Sequence, residues 1–193
     1  MSLPPEEESR ANFYALLARL FYGPPDEALL KALAKTDELD AEDEMLAARW
    51  RELLAAAAAT EAEAVREEYE TAFIGTGKAP VTLYSSAYSI RYTNEMPLAQ
   101  LRADLAALGL ARRGDAGEPE DHIAALCDTM RHLIAGEERS LEEQRRFYDR
   151  WFRPSVEPLC AAIEKSEQTS FYKVVGRLAK AFFSLEQSAF EML

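Results

Sequence analysis

Several residue types that would point to particular classes of protein are scarce in this chain of 193 residues. It has two cysteines, Cys127 and Cys160, which lie far apart and form neither a CxxC pair nor a zinc-binding spacing. We interpret both as small buried apolar side chains. No apolar run approaches the roughly 18 residues that a membrane-spanning helix needs, and the N-terminus lacks the pattern of a secretory leader. The sequence therefore predicts a cytoplasmic protein with no disulfide framework and no stable membrane insertion.

Basic residues are also few in comparison with acidic ones. Lys and Arg number 22 against 34 Asp and Glu, which gives a formal net charge of −12 at pH 7. A negative net charge opposes binding to the phosphate backbone of a nucleic acid, so we do not expect nucleic acid as a partner. A strongly acidic protein instead attracts partners that carry positive charge.

Glycine, valine and isoleucine are sparse, and this favours helices over strands. The chain has 8 glycines, and its valines and isoleucines together number ten, whereas Ala, Leu, Glu and Arg dominate. The latter are strong helix formers. At this length the chain can bury most of its apolar surface without the support of disulfides or bound metals. We predict an all-α fold: a single domain over residues 1–193, built as a bundle of roughly eight to ten helices, with a hinge at 111–117.

Apolar residues at helical spacing and capping residues place the individual helices. Asp26 is the predicted N-cap of the second helix, and Gly109 is the predicted C-cap of the helix before the hinge. Thr169 or Ser170 is expected to cap the last helix. The segment 83–92 is rich in Tyr and Ser and has no assignable periodicity. The predicted helices are Glu7–Phe21, Asp26–Leu33, Ala41–Ala59, Glu61–Phe73, Pro97–Leu108, Glu120–Ala135, Leu141–Phe152, Val156–Glu164 and Ser170 to near Leu193.

No pattern for nucleotide, metal or covalent chemistry is complete. The segment Gly75–Lys78 has glycines like a phosphate-binding loop, but Ala72 and Ala79 stand where that motif needs Gly and Ser or Thr. We interpret it as a flexible connector. Neither His122 nor His132 follows an acidic residue at the spacing of a Glu-x-x-His metal motif, and His132 is predicted to face water. We therefore predict no catalytic residue, no metal ion and no bound cofactor.

The segment Glu118–His122, with the sequence Glu-Pro-Glu-Asp-His, is the most informative stretch of the chain. Proline and acidic residues are typical of the first turn of a helix, where they suit its dipole, and this predicts a helix that begins at Glu120. His122 falls at the edge of the apolar stripe of that helix, just after the hinge. A titratable group is thereby placed where two parts of the structure could meet.

This segment resembles the motif of a known family. The family is that of the chaperones that bind twin-arginine leaders of complex iron–sulfur molybdoenzymes, the TorD/DmsD/NarJ group, whose Glu-Pro-x-Asp-His motif matches Glu118–His122. Upstream, Phe73–Pro80 and Leu83–Tyr88 are similar to the family's loop and its Tyr-Glu-Ser-x-Tyr segment. Downstream, Trp151–Pro154 and Phe171-Tyr172 match a Trp before a helix break and a Phe-Tyr pair that opens the last helix. The similarity covers almost the whole chain.

The resemblance implies a chaperone rather than an enzyme. Its partners would be the twin-arginine leader and the apo catalytic subunit of a molybdoenzyme, which it would hold back from export while assisting insertion of the molybdenum cofactor. The net charge of −12 agrees in sign, because it attracts an Arg-Arg pair. The resemblance further implies a monomer or a domain-swapped dimer, with 111–117 as the segment about which a swap would occur.

We expect eight residues to contact the leader or the client. Asp121 and His122, together with Glu118, are predicted to form the polar end of a leader-binding surface. Aromatic side chains would supply an apolar groove for the rest of the leader, with ordinary core packing as their alternative role. Ser85 stands where the family commonly has Glu, so we expect this surface to have one carboxylate fewer. The full set is Glu118, Pro119, Asp121, His122, Phe73, Tyr84, Ser86 and Tyr88.

Two other classes of protein stay open on the residues alone. A helical transcriptional regulator would have this size, but it would need a basic recognition helix near one end, and the N-terminus is acidic. An uncharacterised helical enzyme would need a metal or nucleophile cluster. The spacing of the residues reveals no such cluster.

Overall fold

The computed structural model describes residues 3–39, 42–75, 77–89, 96–111, 117–136 and 139–193. Helices make up 72% of the structure, and the described residues contain ten α-helices and no strand, so the predicted all-α class is confirmed. Two π-helical turns, Glu70–Ile74 and His132–Gly136, directly follow α4 and α7. The α-helices are α1 Pro5–Tyr22, α2 Glu27–Ala34, α3 Glu44–Ala59, α4 Ala62–Tyr69, α5 Ser86–Ser89, α6 Pro97–Ala107, α7 Ile123–Arg131, α8 Leu141–Trp151, α9 Val156–Lys165 and α10 Phe171–Glu191.

Local capping explains several of the helix ends. The Asp26 carboxylate accepts a hydrogen bond from the Leu29 N–H at 2.8 Å, which confirms it as the N-cap of α2. Gly109 follows α6 with φ of +78°, the left-handed backbone that ends many helices. Ser140 and Glu143 form a reciprocal capping box at the start of α8. These ends are set by residues that are close together in sequence.

The start of α7 differs from the prediction. The helix begins at Ile123 rather than at Glu120, because the chain first makes a turn in which the His122 N–H donates to the Pro119 carbonyl oxygen at 3.1 Å. Pro119 therefore precedes the helix instead of occupying its first turn, and His122 is the N-cap.

The chain divides into two compact units. The first comprises residues 1–18 and 83–155, and the second comprises residues 19–82 and 156–193. A single domain over the whole chain stays a prediction. The expected hinge at 111–117 falls mostly on residues 112–116, which lie outside the described residues.

In the first unit, α7 packs against α8, and α6 is tied to α8 by polar contacts. The rings of Tyr148 and Phe152 stack with their centroids 5.3 Å apart. The Asp104 carboxylate, on α6, accepts hydrogen bonds from the indole N–H of Trp151 at 3.0 Å and from the Arg150 guanidinium at 2.8 Å. These contacts position α6.

In the second unit, α10 packs against α3, α4 and α9. At its start, the Glu68 carboxylate from α4 accepts hydrogen bonds from the backbone N–H groups of Ser170 at 2.8 Å, Phe171 at 3.0 Å and Tyr172 at 2.7 Å. The Ser170 side chain makes no capping bond, and the Thr169 hydroxyl donates to backbone carbonyls instead. Ser170 therefore occupies the predicted N-cap position, but the carboxylate of Glu68, and not the Ser170 hydroxyl, accepts hydrogen bonds from the N–H groups of the helix start.

Both cysteines are buried and neither forms a disulfide, as predicted. Cys127 lies on α7 and Cys160 on α9. Burial raises the pKa of the Cys160 thiol to about 12, so it stays protonated near neutral pH. Their role is packing. Separately, none of the described helices combines the length and the apolar character required to cross a membrane.

Candidate functional site

Seven of the eight predicted binding residues lie in two segments of the first unit that meet in one place. Tyr84 and His122 form an isolated antiparallel bridge. On one side of it the Ser85 N–H donates to the Asp121 carbonyl oxygen at 2.8 Å. On the other side the Ile123 N–H donates to the Leu83 carbonyl oxygen at 2.9 Å. We call these segments, residues 83–89 and 117–123, the bridge site. The seven residues are Tyr84, Ser86, Tyr88, Glu118, Pro119, Asp121 and His122.

Two carboxylates of the bridge site are held by hydroxyl groups. The Tyr84 hydroxyl donates to Glu118 Oε2 at 2.6 Å, and the Ser86 hydroxyl donates to Asp121 Oδ2. Among the described residues, neither carboxylate pairs with a cation. An ionised carboxylate offers about four lone-pair positions, so each of them keeps acceptor capacity after these bonds. Glu118 is half-buried, whereas Asp121 is buried, at 6% exposed.

The hydroxyl donors stay neutral at physiological pH. Hydrogen bonding to Glu118 is the main cause that raises the pKa of Tyr84 to about 12, with burial and the nearby negative charges acting in the same direction. A serine hydroxyl such as that of Ser86 does not ionise in this range. These donors therefore orient the two carboxylates without cancelling their charge.

A third acidic residue of the motif is neutralised from within the chain. Arg102, on α6, donates from Nε and Nη2 to the two oxygens of Glu120 at 2.9 and 3.1 Å. This is the bidentate geometry that guanidinium and carboxylate groups favour. The contact with Glu120 raises the pKa of Arg102, and the negative charge of Asp121 adds to the effect. The sequence gives no sign of this pair, because no spacing rule joins residues 18 positions apart.

His122 is a structural part of the bridge site. Its Nδ1 accepts a hydrogen bond from the Ala124 N–H at 3.2 Å and so caps α7, which places the proton of the neutral ring on Nε2. Its ring lies edge-on to that of Tyr84, with 5.4 Å between centroids. Burial lowers the pKa of His122 against the opposing influence of Glu118 and Asp121. The imidazole is therefore uncharged at neutral pH and adds no cation to the site.

The bridge site lies within a region of the chain that matches a known protein family. The model of the nitrate reductase delta subunit family matches residues 36–161, about two thirds of the chain, and the match includes the whole bridge site. The chain belongs to this family. Its members are chaperones of molybdoenzyme maturation rather than enzymes, which confirms the resemblance inferred from the motif. The family works with the catalytic subunit of nitrate reductase. The curated proteins give no match to the chain.

Within this delta-subunit chaperone, the remaining residues of the Tyr/Ser-rich segment differ in exposure. Tyr84 is 36% exposed, and Tyr88 is half-buried on α5. Ser85 is buried, at 3% exposed, so its position does not contribute a side chain to the surface. The hydroxyl that contacts a carboxylate comes from its neighbour, Ser86.

The eighth predicted residue, Phe73, belongs to the second unit of the chaperone. It lies in the π-helical turn after α4, and its ring packs edge-on against Tyr69 and Tyr172, with centroid distances of 5.1 and 4.9 Å. The Tyr69 hydroxyl donates to the Phe21 carbonyl oxygen at 2.9 Å. Phe73 is thus part of an aromatic cluster, and its contact with the leader stays a prediction.

Backbone geometry accounts for the glycines of the loop after this turn. Gly75 and Gly77 have φ of +62° and +113°, a region that side-chain-bearing residues rarely adopt. The Val81 N–H donates to the Ala72 carbonyl oxygen at 3.0 Å and closes the loop. Thr76 lies outside the described residues. In the part of the chain that the structure describes, no group of three His, Cys, Asp or Glu side chains could hold a metal ion.

Proposed function

We propose that this chaperone binds the twin-arginine leader of an apo-molybdoenzyme subunit in the cytoplasm, delays its export and assists insertion of the molybdenum cofactor. The observation that carries the proposal is the pair of carboxylates, Glu118 and Asp121, which accept hydrogen bonds only from neutral hydroxyls among the described residues. A guanidinium presents five N–H donors in a planar fork that matches a carboxylate. Two such acids in one site suit two adjacent arginines.

The surroundings of the carboxylates support the same ligand. The partly exposed Tyr84 and the half-buried Tyr88 offer apolar ring surface for the stretch that follows the arginines in a leader. The net charge of −12 would speed the encounter with a cationic peptide, and this effect should weaken as salt is added.

Charge-removing substitutions of equal shape test the proposal. Glu118→Gln and Asp121→Asn keep an oxygen that accepts from the hydroxyl but remove the negative charge. Each should weaken the affinity for a synthetic Arg-Arg leader peptide about fivefold, the difference between a charged and a neutral hydrogen-bond acceptor. Titration calorimetry measures the affinity. Asp128→Asn is the matched control, because it changes the net charge equally on the exposed face of α7, where Asp128 pairs with Arg131.

The outcome separates a site from a general charge effect. If Asp128→Asn weakens binding as much as the other two, the peptide is attracted by net charge alone. Unchanged affinity in both Glu118→Gln and Asp121→Asn would remove these residues from the leader site.

Co-purification from the native host tests the cellular part of the proposal. Tagged wild-type chaperone should recover a molybdoenzyme catalytic subunit whose leader is uncut, and mass spectrometry would identify it. The Glu118→Gln/Asp121→Asn double variant should recover less of this subunit at equal expression. Recovery of the mature subunit alone, with its leader removed, would contradict a role before export.

A further inference from the structure

Each of two carboxylates in the bridge site accepts from a hydroxyl group of its own. We infer that Tyr84 and Ser86 are positioning residues: each fixes the orientation of one acid, and together they set the preference of the site for arginine over lysine. The inference rests on the proposed function, because it concerns the same surface. It gives the two hydroxyls an indirect role, in place of the direct contact with the leader that the sequence predicts.

The backbone of the bridge site brings each hydroxyl to its acid. The Ser85 N–H donates to the Asp121 carbonyl oxygen at 2.8 Å, and the next residue, Ser86, donates from its hydroxyl to the carboxylate of the same aspartate. On the other side of Ser85, the Tyr84 hydroxyl donates to Glu118 Oε2 at 2.6 Å. One short segment therefore serves two acids that lie three residues apart.

Both donors are held by contacts of their own. The ring of Tyr84 lies edge-on to the buried ring of His122, with 5.4 Å between centroids. Ser86 begins α5, and a turn in which the Ala87 N–H donates to the Tyr84 carbonyl oxygen at 3.1 Å fixes its backbone. A group can hold a binding side chain in one geometry only if it is itself held in place. Tyr84 and Ser86 meet this requirement.

The hydroxyls engage one oxygen of each acid and leave the other oxygen for a ligand. A hydroxyl has a single proton to donate, and both protons go to a carboxylate. Among the described residues, Oε1 of Glu118 and Oδ1 of Asp121 have no hydrogen-bond partner. Because Asp121 is only 6% exposed, the orientation of its carboxylate decides which of its oxygens reaches a ligand.

A fixed orientation favours arginine over lysine. A guanidinium donates in a planar fork, so its bonds depend on the direction in which the carboxylate oxygens point. The ammonium of lysine is a compact charge with three rotatable donors, and its binding depends mainly on distance. A carboxylate that rotates freely keeps its charge but loses its direction. Loss of either hydroxyl should therefore weaken the binding of arginine more than that of lysine.

The test measures affinities by titration calorimetry for two synthetic peptides, a leader with Arg-Arg before an apolar stretch and the same peptide with Lys-Lys. Tyr84→Phe and Ser86→Ala each remove one hydroxyl and no charge. Each should weaken the binding of the Arg-Arg peptide about threefold, the size of one neutral hydrogen bond. The affinity for the Lys-Lys peptide should change by less than about twofold.

Two substitutions of the same chemistry serve as controls. Ser89→Ala removes a half-buried serine hydroxyl from the same short helix, where it donates to the Ser86 carbonyl oxygen at 3.5 Å. Tyr22→Phe removes the hydroxyl of a tyrosine that is 60% exposed at the end of α1, outside the bridge site. Neither should change the affinity for either peptide. Ser86→Thr keeps a hydroxyl at its position and should bind like wild type.

A Glu118→Ala background separates an indirect role from a direct contact. With no carboxylate at this position, the Tyr84 hydroxyl has nothing to orient, so Tyr84→Phe should cause no further loss. Ser86→Ala acts on the other acid and should still cost about threefold in this background. If Glu118→Ala fails to fold, Glu118→Gln gives the same comparison, because the charge to be oriented is then absent. If Ser86→Ala fails to fold, Ser86→Cys replaces it, because a thiol is a weak donor.

The outcomes separate the inference from the proposed function. A selective loss of the Arg-Arg peptide, absent for Tyr84→Phe in the Glu118→Ala background, supports the inference. Equal losses for both peptides, unchanged affinities, or the same loss by Tyr84→Phe with and without Glu118 overturn it, while the wild-type chaperone still binds the leader as proposed. If the wild-type chaperone binds neither peptide, the proposed function fails and the inference fails with it.

Discussion

Glu68 offers a direct test of how the second unit is held together. An α-helix leaves its first N–H groups without partners inside the helix, and the Glu68 carboxylate accepts from three N–H groups at the start of α10. Its negative charge also suits the positive end of the helix dipole. Because α10 packs against α3, α4 and α9, loss of this contact should lower the stability of the unit and not merely fray one helix end.

The magnitude follows from the number and kind of bonds. Loss of an N-cap costs about 0.5–2 kcal/mol, and hydrogen bonds to charged groups contribute about 1.5–3 kcal/mol. Glu68→Ala removes all three bonds but leaves the N–H groups partly accessible to water, so we expect a loss of about 2–3 kcal/mol in the free energy of unfolding. Glu68→Gln keeps one acceptor oxygen and should lose about 1–2 kcal/mol.

Urea unfolding followed by circular dichroism measures these differences. Glu67→Ala is the matched control, since Glu67 is exposed on the same helix and its loss changes the charge equally. Adding Ser170→Ala to Glu68→Ala tests whether the Ser170 hydroxyl takes over the cap. Surface substitutions commonly change the free energy of unfolding by no more than about 0.5 kcal/mol. If the free energies of Glu68→Ala and of this double variant both lie within about 0.5 kcal/mol of the control, the Glu68 contact does not stabilise the unit and the reasoning is refuted.

Three further predictions concern close packing and titration. Gly136→Ala should destabilise the protein by about 1–3 kcal/mol, because its new carbon would lie 2.5 Å from Nδ1 of His132. Adding His132→Ala to Gly136→Ala should recover most of the lost stability in urea unfolding. A double variant as unstable as Gly136→Ala alone would contradict the clash. Gly176→Leu should lower the melting temperature strongly, because even its first carbon would lie 3.0 Å from Cγ2 of Ile163; an unchanged melting temperature would show that α9 and α10 can separate. His122→Asn keeps a capping side chain but cannot titrate. The pKa of His122 is below 6.5 in the folded state, so wild type should lose stability relative to this variant only as pH falls below 6.5; a constant difference across pH would contradict a buried neutral imidazole.

Periodicity and caps predicted the helices well where the signals are local. Asp26 and Gly109 mark helix ends through their own side chain or backbone, so the residues on either side suffice to find them. The start of α7 could not be found in this way. Pro119 suits a first helical turn, but pairing of the neighbouring residues with the Tyr84 segment keeps the chain in a turn until Ile123. Tertiary contact here prevails over a local preference.

The composition of the bridge site could be predicted in part, and its pairings could not. Tyr84, Ser86, Glu118 and Asp121 were identified because their motifs resemble those of a family. The register of the bridge decides that the Tyr84 hydroxyl contacts Glu118 and the Ser86 hydroxyl contacts Asp121. No spacing rule provides this register. Arg102 was missed for the same reason, since it meets Glu120 only through the packing of α6.

The kind of donor on each carboxylate is what distinguishes the bridge site from the rest of the acidic surface. Elsewhere acids are commonly neutralised, as Arg66 does for both Glu63 and Glu70 on one helix face. At the bridge site, hydroxyl groups fix Glu118 and Asp121 in place and leave their charge intact, and burial keeps the neighbouring imidazole neutral. Carboxylates that are already oriented lose less conformational freedom when a cation binds. Oriented charge without an ion-pair partner among the described residues is thus the property that the proposed receptor for two adjacent arginines requires.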